Sequence, residues 1–329
     1  MRIDLQALSE AIVGKKDCEI KDGELVIHRF TKRQEDYYER TNHGFYIRAL
    51  CNAAVRIDFT TDAREMSLSY RAKKMSSRKW YYFDVYENDV LVMHAGNDGV
   101  EEDSGELRLA LGEGEKRIRI YLPSSFAIYI SELRLEGGSV FLPTVDEGMR
   151  TVIYGDSITH GYDAKYPSLS YANILIDELG LNAINQAIGG ERFNPEIIDT
   201  ELCPEAELVT VAYGTNDWGA YTAESAAELA DKFFKRLKTA HPCAKILYIS
   251  PIWRADHARD DKRGGEFTAF IAKLERVASD NGAAVVHGLD LLPHDGGMLS
   301  DGLHPNDLGF TQYAAGLIRA MRGLGVTEA

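Results

Sequence analysis

Cysteine is scarce and unpatterned in this chain. Its 329 residues contain four, Cys18, Cys51, Cys203 and Cys243. None shows CxxC spacing or lies beside a histidine pair, which argues against a zinc site and a disulfide scaffold and predicts free, mostly buried thiols. Long apolar runs are missing too: none approaches the roughly 20 residues needed to span a bilayer. Met1 to Gln6 carries charge where a signal peptide has its apolar core, so the sequence as it stands is expected to be cytoplasmic. Positive charge is in deficit. Lys and Arg number 37 against 51 Asp and Glu, a formal charge of −14, which argues against nucleic acid and anionic membrane surfaces as partners. Residues after Arg150 hold 15 basic and 25 acidic side chains and so carry −10 of that charge. Internal repeats and low-complexity tracts are also lacking.

The composition is that of an ordinary globular protein, 45% hydrophobic and 27% charged, and long enough for two domains with separate cores. Two hydrophobic periods divide it. Up to residue 145 the chain reads as β structure, with short alternating segments at 23–28, 55–59, 66–70, 81–86, 90–92, 117–121 and 128–133. Glu87-Asn88-Asp89 reads as a hairpin turn. Strands of this length and spacing predict an antiparallel β-sandwich. Residues 142–148 read as a linker, so the expected domains are 1–145 and 146–329. In the second domain apolar strand candidates at 151–154, 182–185, 207–212, 245–250 and 283–287 alternate with helical patterns at 223–240, 266–281 and 306–322. That alternation predicts an α/β fold with a parallel sheet covered on both faces. Ligands of such sheets sit at the carboxyl ends of the strands.

Four segments fall at those ends. Gly155-Asp156-Ser157-Ile158-Thr159 follows the first strand, a sharp turn that lifts a serine hydroxyl to a helix N-terminus. Gly189-Gly190 follows the second strand, Gly214-Thr215-Asn216-Asp217 the third, and Asp301-Gly302-Leu303-His304 precedes the last helix. Each has an ordinary reading as an N-cap, a turn, an Asx turn or a capped helix start. Together, in this order, they supply what acyl transfer needs: a hydroxyl nucleophile, a base, a carboxylate to orient it, and oxyanion donors.

With these blocks the region from about 150 to 325 resembles the SGNH hydrolases, the GDSL esterase/lipase family. The resemblance implies a flavodoxin-like three-layer α/β/α domain, with the preceding sandwich expected to be jelly-roll-like. It implies Ser157 as nucleophile, His304 as base and Asp301 as its orienter. The oxyanion hole would be the N–H groups of Ser157 and Gly190 with the Asn216 amide. The second block departs from the family pattern, with Ala187 where a glycine is usual. A sandwich ahead of such a domain is similar to carbohydrate acetyl esterases and to an acyltransferase-like branch. The expected activity is hydrolysis of a small acyl ester, acetyl above all, on a carbohydrate or similar polyol, with no cofactor. An acyltransferase, a lysophospholipase-like lipase and a non-catalytic binding protein are the alternatives.

Further residues have less specific signals. Trp218, Trp253 and Arg254 are candidate substrate contacts because they stand at strand ends, where packed aromatics are equally at home. His160 lies three residues after Ser157 without an orienting carboxylate at useful spacing. Asp290, His294, Asp295, Asp301 and His304 meet no metal-ligand spacing, and no metal is expected. On the strand through Lys79-Trp80-Tyr81-Tyr82-Phe83 alternation places Trp80 and Tyr82 on one face and Tyr81 and Phe83 on the other, so one pair is core and the other is free for a glycan. An exposed sandwich face would equally suit a second subunit, which leaves the oligomeric state open.

Overall fold

The computed structural model describes residues 1–145 and 147–326. Two antiparallel sheets stack over one apolar core in the first part. The first sheet runs in the order Asp17–Lys21, Glu24–His28, Phe126–Glu136, Glu65–Lys74, Glu102–Ala110. The second runs Leu142–Pro143, Arg56–Thr61, Lys116–Tyr121, Trp80–Glu87, Val90–Asp98. Alternation sets which face is buried: Leu68, Phe83, Ile118 and Ile130 point into the shared core. The expected hairpin is present, with Asn88 and Asp89 both at positive φ, 46° and 69°, the conformation that matches the strand twist.

The second part is a five-stranded parallel sheet. In chain order its strands are Met149–Gly155, Leu181–Asn185, Leu208–Ala212, Lys245–Ile249 and Ala284–Val286, and in space they run second, first, third, fourth, fifth. This is the flavodoxin-like order, in which a crevice opens between the first and third strands. Helices Ala223–Ala240 and Phe267–Asp280 pack on one face, Tyr171–Leu179 and Asp307–Gly323 on the other. Among the described residues no helix is long and apolar enough to cross a membrane.

One part of the first segment departs from the all-β expectation. Helices Lys32–Thr41 and His43–Ala49 leave the sandwich and lie on the α/β domain, where Phe30, Tyr38 and Ala49 join the core of Val152, Tyr154 and Ile188. The cause is local and was readable. Thr31 accepts from the Gln34 N–H at 3.3 Å while the Gln34 side chain accepts from the Thr31 N–H at 2.9 Å, a reciprocal cap that starts the first helix. The expected boundary at 145/146 adjoins Asp146, outside the described residues; by packing, this helical hairpin sits with the second domain.

Candidate active site

The strand Met149–Gly155 is buried through its last five residues and ends under a four-residue helix, Ser157–His160. A Cβ on Gly155 would lie 2.0 Å from Thr159 Oγ1, so only glycine lets the chain turn this tightly. Asp156 caps the helix, its Oδ1 accepting from the Ile158 N–H at 3.0 Å. Burial pushes the Asp156 carboxyl up to about 7, against the Ile158 N–H bond and the charge of Arg254.

Ser157 Oγ lies 2.8 Å from His304 Nε2, and His304 Nδ1 lies 2.8 Å from Asp301 Oδ2. The carboxylate accepts, so Nδ1 carries the hydrogen and Nε2 faces the serine as a bare acceptor. The other Asp301 oxygen accepts from the backbone N–H groups of His304 (2.9 Å) and Leu303 (3.1 Å). Partial burial would push the Asp301 carboxyl up, but these bonds and the His304 ring outweigh it and hold it below the ordinary range. Ser157 and His304 are only 5% and 8% exposed, so the pair is screened from bulk water.

Gly190 and Asn216 flank the Ser157 turn. Gly190 has φ +90°, left-handed backbone that favours glycine, and a Cβ there would sit 3.5 Å from the Phe45 ring. Arg48 holds the preceding carbonyl, Gly189 O, at 3.0 Å. The Asn216 amide donates to Glu191 O at 3.0 Å and reaches Asp156 Oδ2 at 3.4 Å, which ties it to both the glycine loop and the serine turn. Asp217 fastens the third block from beneath, accepting from Gly214 N–H (3.1 Å) and Phe193 N–H (3.2 Å). Burial pushes its carboxyl up to about 7 against the Phe193 N–H bond, and the nearby Asp156 charge adds to the rise.

The residues expected at the substrate fare differently. Trp218 is fully buried. Its Nε1–H donates to Gly265 O at 2.8 Å, its ring packs on Phe267, and Arg254 and Lys262 cover it, so it has no face for a ligand. Arg254 is 8% exposed and spent on Asp256 and the Thr215 carbonyl, the latter at 3.0 Å. Both are corrections to the sequence reading: strand-end position does not distinguish a pocket wall from the packing behind it. Trp253 is half-buried and stacks on His294, centroids 5.7 Å apart.

His160 is buried, with Nε2 donating to the Ser124 carbonyl of the sandwich at 2.7 Å. Burial drives its pKa well below the ordinary histidine value, which keeps it neutral. On the sandwich strand Tyr81 and Phe83 face the core and Trp80 and Tyr82 do not, as the alternation requires. Tyr82 nevertheless stacks on His94 at 4.5 Å, and His94 on Tyr166 of the second domain at 3.8 Å, so these rings build a ladder between the domains.

Sequence reasoning missed Arg78, which reaches the site from the sandwich, and Phe45 and Arg48, which reach it from the helix His43–Ala49. It also missed Tyr162 and Asp163, just past the helix Ser157–His160. Neither periodicity nor motif spacing marks any of them.

Residues 153–311 match the GDSL-like Lipase/Acylhydrolase family. No curated protein matches the chain. Among solved structures, a salicylyl-acyltransferase from a tetracycline biosynthetic pathway superposes with a TM-score of 0.83 at 20% identity, covering 96% of this chain and 94% of that one. A family two carbohydrate esterase from Cellvibrio japonicus gives 0.66 at 16% identity over 97% and 96%. An acetyl xylan esterase from the rumen bacterium Butyrivibrio proteoclasticus gives 0.65 at 14% identity over 100% and 99%. The likeness extends over both domains, so the pairing of a β-sandwich with this α/β domain is an architecture these proteins share.

Proposed function

We propose that this chain, whose α/β domain is that of a GDSL-like lipase/acylhydrolase, is a serine esterase that removes small acyl groups, acetyl above all, from a carbohydrate or similar polyol. The observation that carries the reading is the unbroken chain from Ser157 through His304 to Asp301, each link 2.8 Å. His304 Nε2 takes the Ser157 proton as Oγ attacks the ester carbonyl carbon. The carbonyl π pair moves onto oxygen, where the Ser157 and Gly190 N–H groups and the Asn216 amide receive it. Collapse expels the alcohol, protonated by His304, and leaves an acyl-serine. A water then gives its proton to His304 and attacks that ester, releasing the acid and restoring Oγ–H.

The acyl size follows from access. With Ser157 and His304 screened, and Phe45, Arg48 and Tyr162 crowding the glycine loop, a two-carbon acyl group fits more readily than a long chain. The esterases above, which share both domains, support a sugar as the alcohol. Hydrolysis of p-nitrophenyl esters from C2 to C12 tests the acyl side: turnover should peak at C2, and a maximum at long chains would move the assignment to lipids. Acetylated oligosaccharides test the alcohol side. An acyl-thioester donor with an added alcohol belongs in the same panel, because the same acyl-serine can be captured by an alcohol, and the acyltransferase above shares the fold.

The oxyanion donor has its own test. Asn216→Ala is expected to lower kcat by about 10²–10³ with little change in KM, the usual consequence of losing one donor that acts only on the developing charge. A loss confined to KM would place Asn216 at the substrate instead.

A further inference from the structure

Two carboxylates, not one, stand behind the base. Asp301 Oδ2 is 2.8 Å from His304 Nδ1, and Asp163 Oδ2 is 3.8 Å from the same atom. Asp301 accepts the single Nδ1–H, and Asp163, beyond hydrogen-bond distance, could take it only if the ring turned, which would change how the base is aimed at Ser157. Asp163 sits six residues after the nucleophile with φ +70°, a left-handed conformation that aspartate tolerates better than most residues. Arg78 reaches this pair from the loop between two sandwich strands. It grips Asp163 with two bonds, Nε at 2.7 Å and Nη2 at 2.5 Å, the bidentate fork that guanidinium makes best. The same Nη2 is 3.4 Å from Asp301 Oδ2 and 3.3 Å from His304 Nδ1. Nη2 and Nδ1–H are both donors, so the last approach is no bond; the two carboxylates hold the groups together. The guanidinium lies over the Tyr162 ring at 4.8 Å, and its side chain is 19% exposed.

We infer that Arg78, contributed by the β-sandwich, is a positioning residue of the catalytic centre: by occupying Asp163 it leaves Asp301 as the sole orienter of His304. The inference deepens the esterase reading and rests on it. The charges make the role specific. Arg78, Asp163 and Asp301 together place −1 behind the imidazole, which balances the imidazolium formed during turnover. The other neighbours of His304, Ser157 at Nε2 and the Tyr162 ring 5.8 Å away, are neutral. Without Arg78 the charge behind Nδ1 is −2, the imidazolium is overstabilised, and the base stays protonated to higher pH. Asp163 is then also free to take Nδ1–H and turn the ring. Catalysis by the second domain therefore depends on its docking to the first.

The test is ¹³C NMR titration of His304 beside the pH profile of p-nitrophenyl acetate hydrolysis, in Arg78→Met, Asp163→Asn and the double variant. In Arg78→Met the His304 signal should titrate at higher pH, and kcat/KM should fall about tenfold more at pH 6 than at pH 9. Asp163→Asn alone should shift the titration the other way, and the double variant should return it near wild type. A purely structural arginine would lower the folded fraction without moving the His304 titration. An unmoved titration in Arg78→Met, or one that Asp163→Asn does not reverse, overturns the inference. Should Arg78→Met fail to fold, the Asp163→Asn shift decides alone, and its absence overturns the inference. The expected NMR shifts in a protein without serine-dependent turnover would uphold the electrostatics and remove the esterase reading.

Discussion

Ser157→Ala should lower kcat on p-nitrophenyl acetate at least about 10⁴-fold, since the members of a nucleophile–base unit fail together and what remains comes from binding and the oxyanion donors. The fold should be untouched. Ser157 Oγ bonds His304 Nε2, whereas the cap of its helix is made by Asp156, so alanine removes a nucleophile and no support. Turnover beside thermal melting and fluorophosphonate labelling checks this. Wild-type turnover in the variant would end the covalent mechanism, and a collapsed melting temperature would mean that the serine is structural. The wild type should take up the fluorophosphonate and the alanine variant should not. An unlabelled, inactive wild type would point to a protein that only binds.

Arg29→Met should cost about 3–5 kcal/mol of stability, because it takes donors from four buried carbonyls and each one left unsatisfied costs about 1–3 kcal/mol. Arg29 is fully buried, and among the described residues its guanidinium hydrogen-bonds no carboxylate. It serves four carbonyls: Nε donates to Cys51 O at 2.6 Å, and the terminal nitrogens donate to Asn185 O, to Ala187 O at 3.4 Å and to Arg48 O at 3.3 Å. Desolvation pushes its pKa down to about 10, still well above neutrality, so it stays charged. Methionine keeps the apolar stem and supplies no donor, which takes the guanidinium's bonds from those carbonyls in a dry interior; of the four, Arg48 O keeps the Cys51 N–H at 3.2 Å. Asn185 ends the second strand and Ala187 lies in the loop that leads to Gly189 and Gly190, so kcat should fall with stability. Urea unfolding measures the loss; a change below about 1 kcal/mol would mean that water replaces the guanidinium.

The blocks that carry Ser157, Asn216, Asp301 and His304 were legible because each is local. Gly155 to Thr159 is a strand, a turn and a helix start; Asp301 and His304 share one loop and bond at i,i+3; Asp217 caps its own block at Gly214. The helices expected at 223–240, 266–281 and 306–322 formed within a residue or so at Ala223–Ala240, Phe267–Asp280 and Asp307–Gly323, because their apolar period is strong. The two helices after Thr31 depart from the β expectation although Thr31 and Asn42 cap them: the first is mostly polar and the second only seven residues long, so neither shows a strong apolar period. Trp218 and Arg254 were misplaced for another reason. Position at a strand end is a one-dimensional fact, and whether a side chain turns into the crevice or under it depends on neighbours such as Gly265, Phe267 and Asp256.

Taken alone, the sequence determined the two halves, the parallel sheet, and the segments that carry Ser157, Asp301 and His304 to one place, all encoded by spacing within a few residues or by periods within one element. Only the tertiary structure decided what surrounds them. Arg78 meets Asp163 across 85 residues and Asp301 across 223, and Arg29 meets Asn185 across 156. Such contacts exist once the sandwich docks on the sheet and buries their polar groups together, and no local pattern records them, because the energy that selects them is the cost of leaving those groups unpaired away from water.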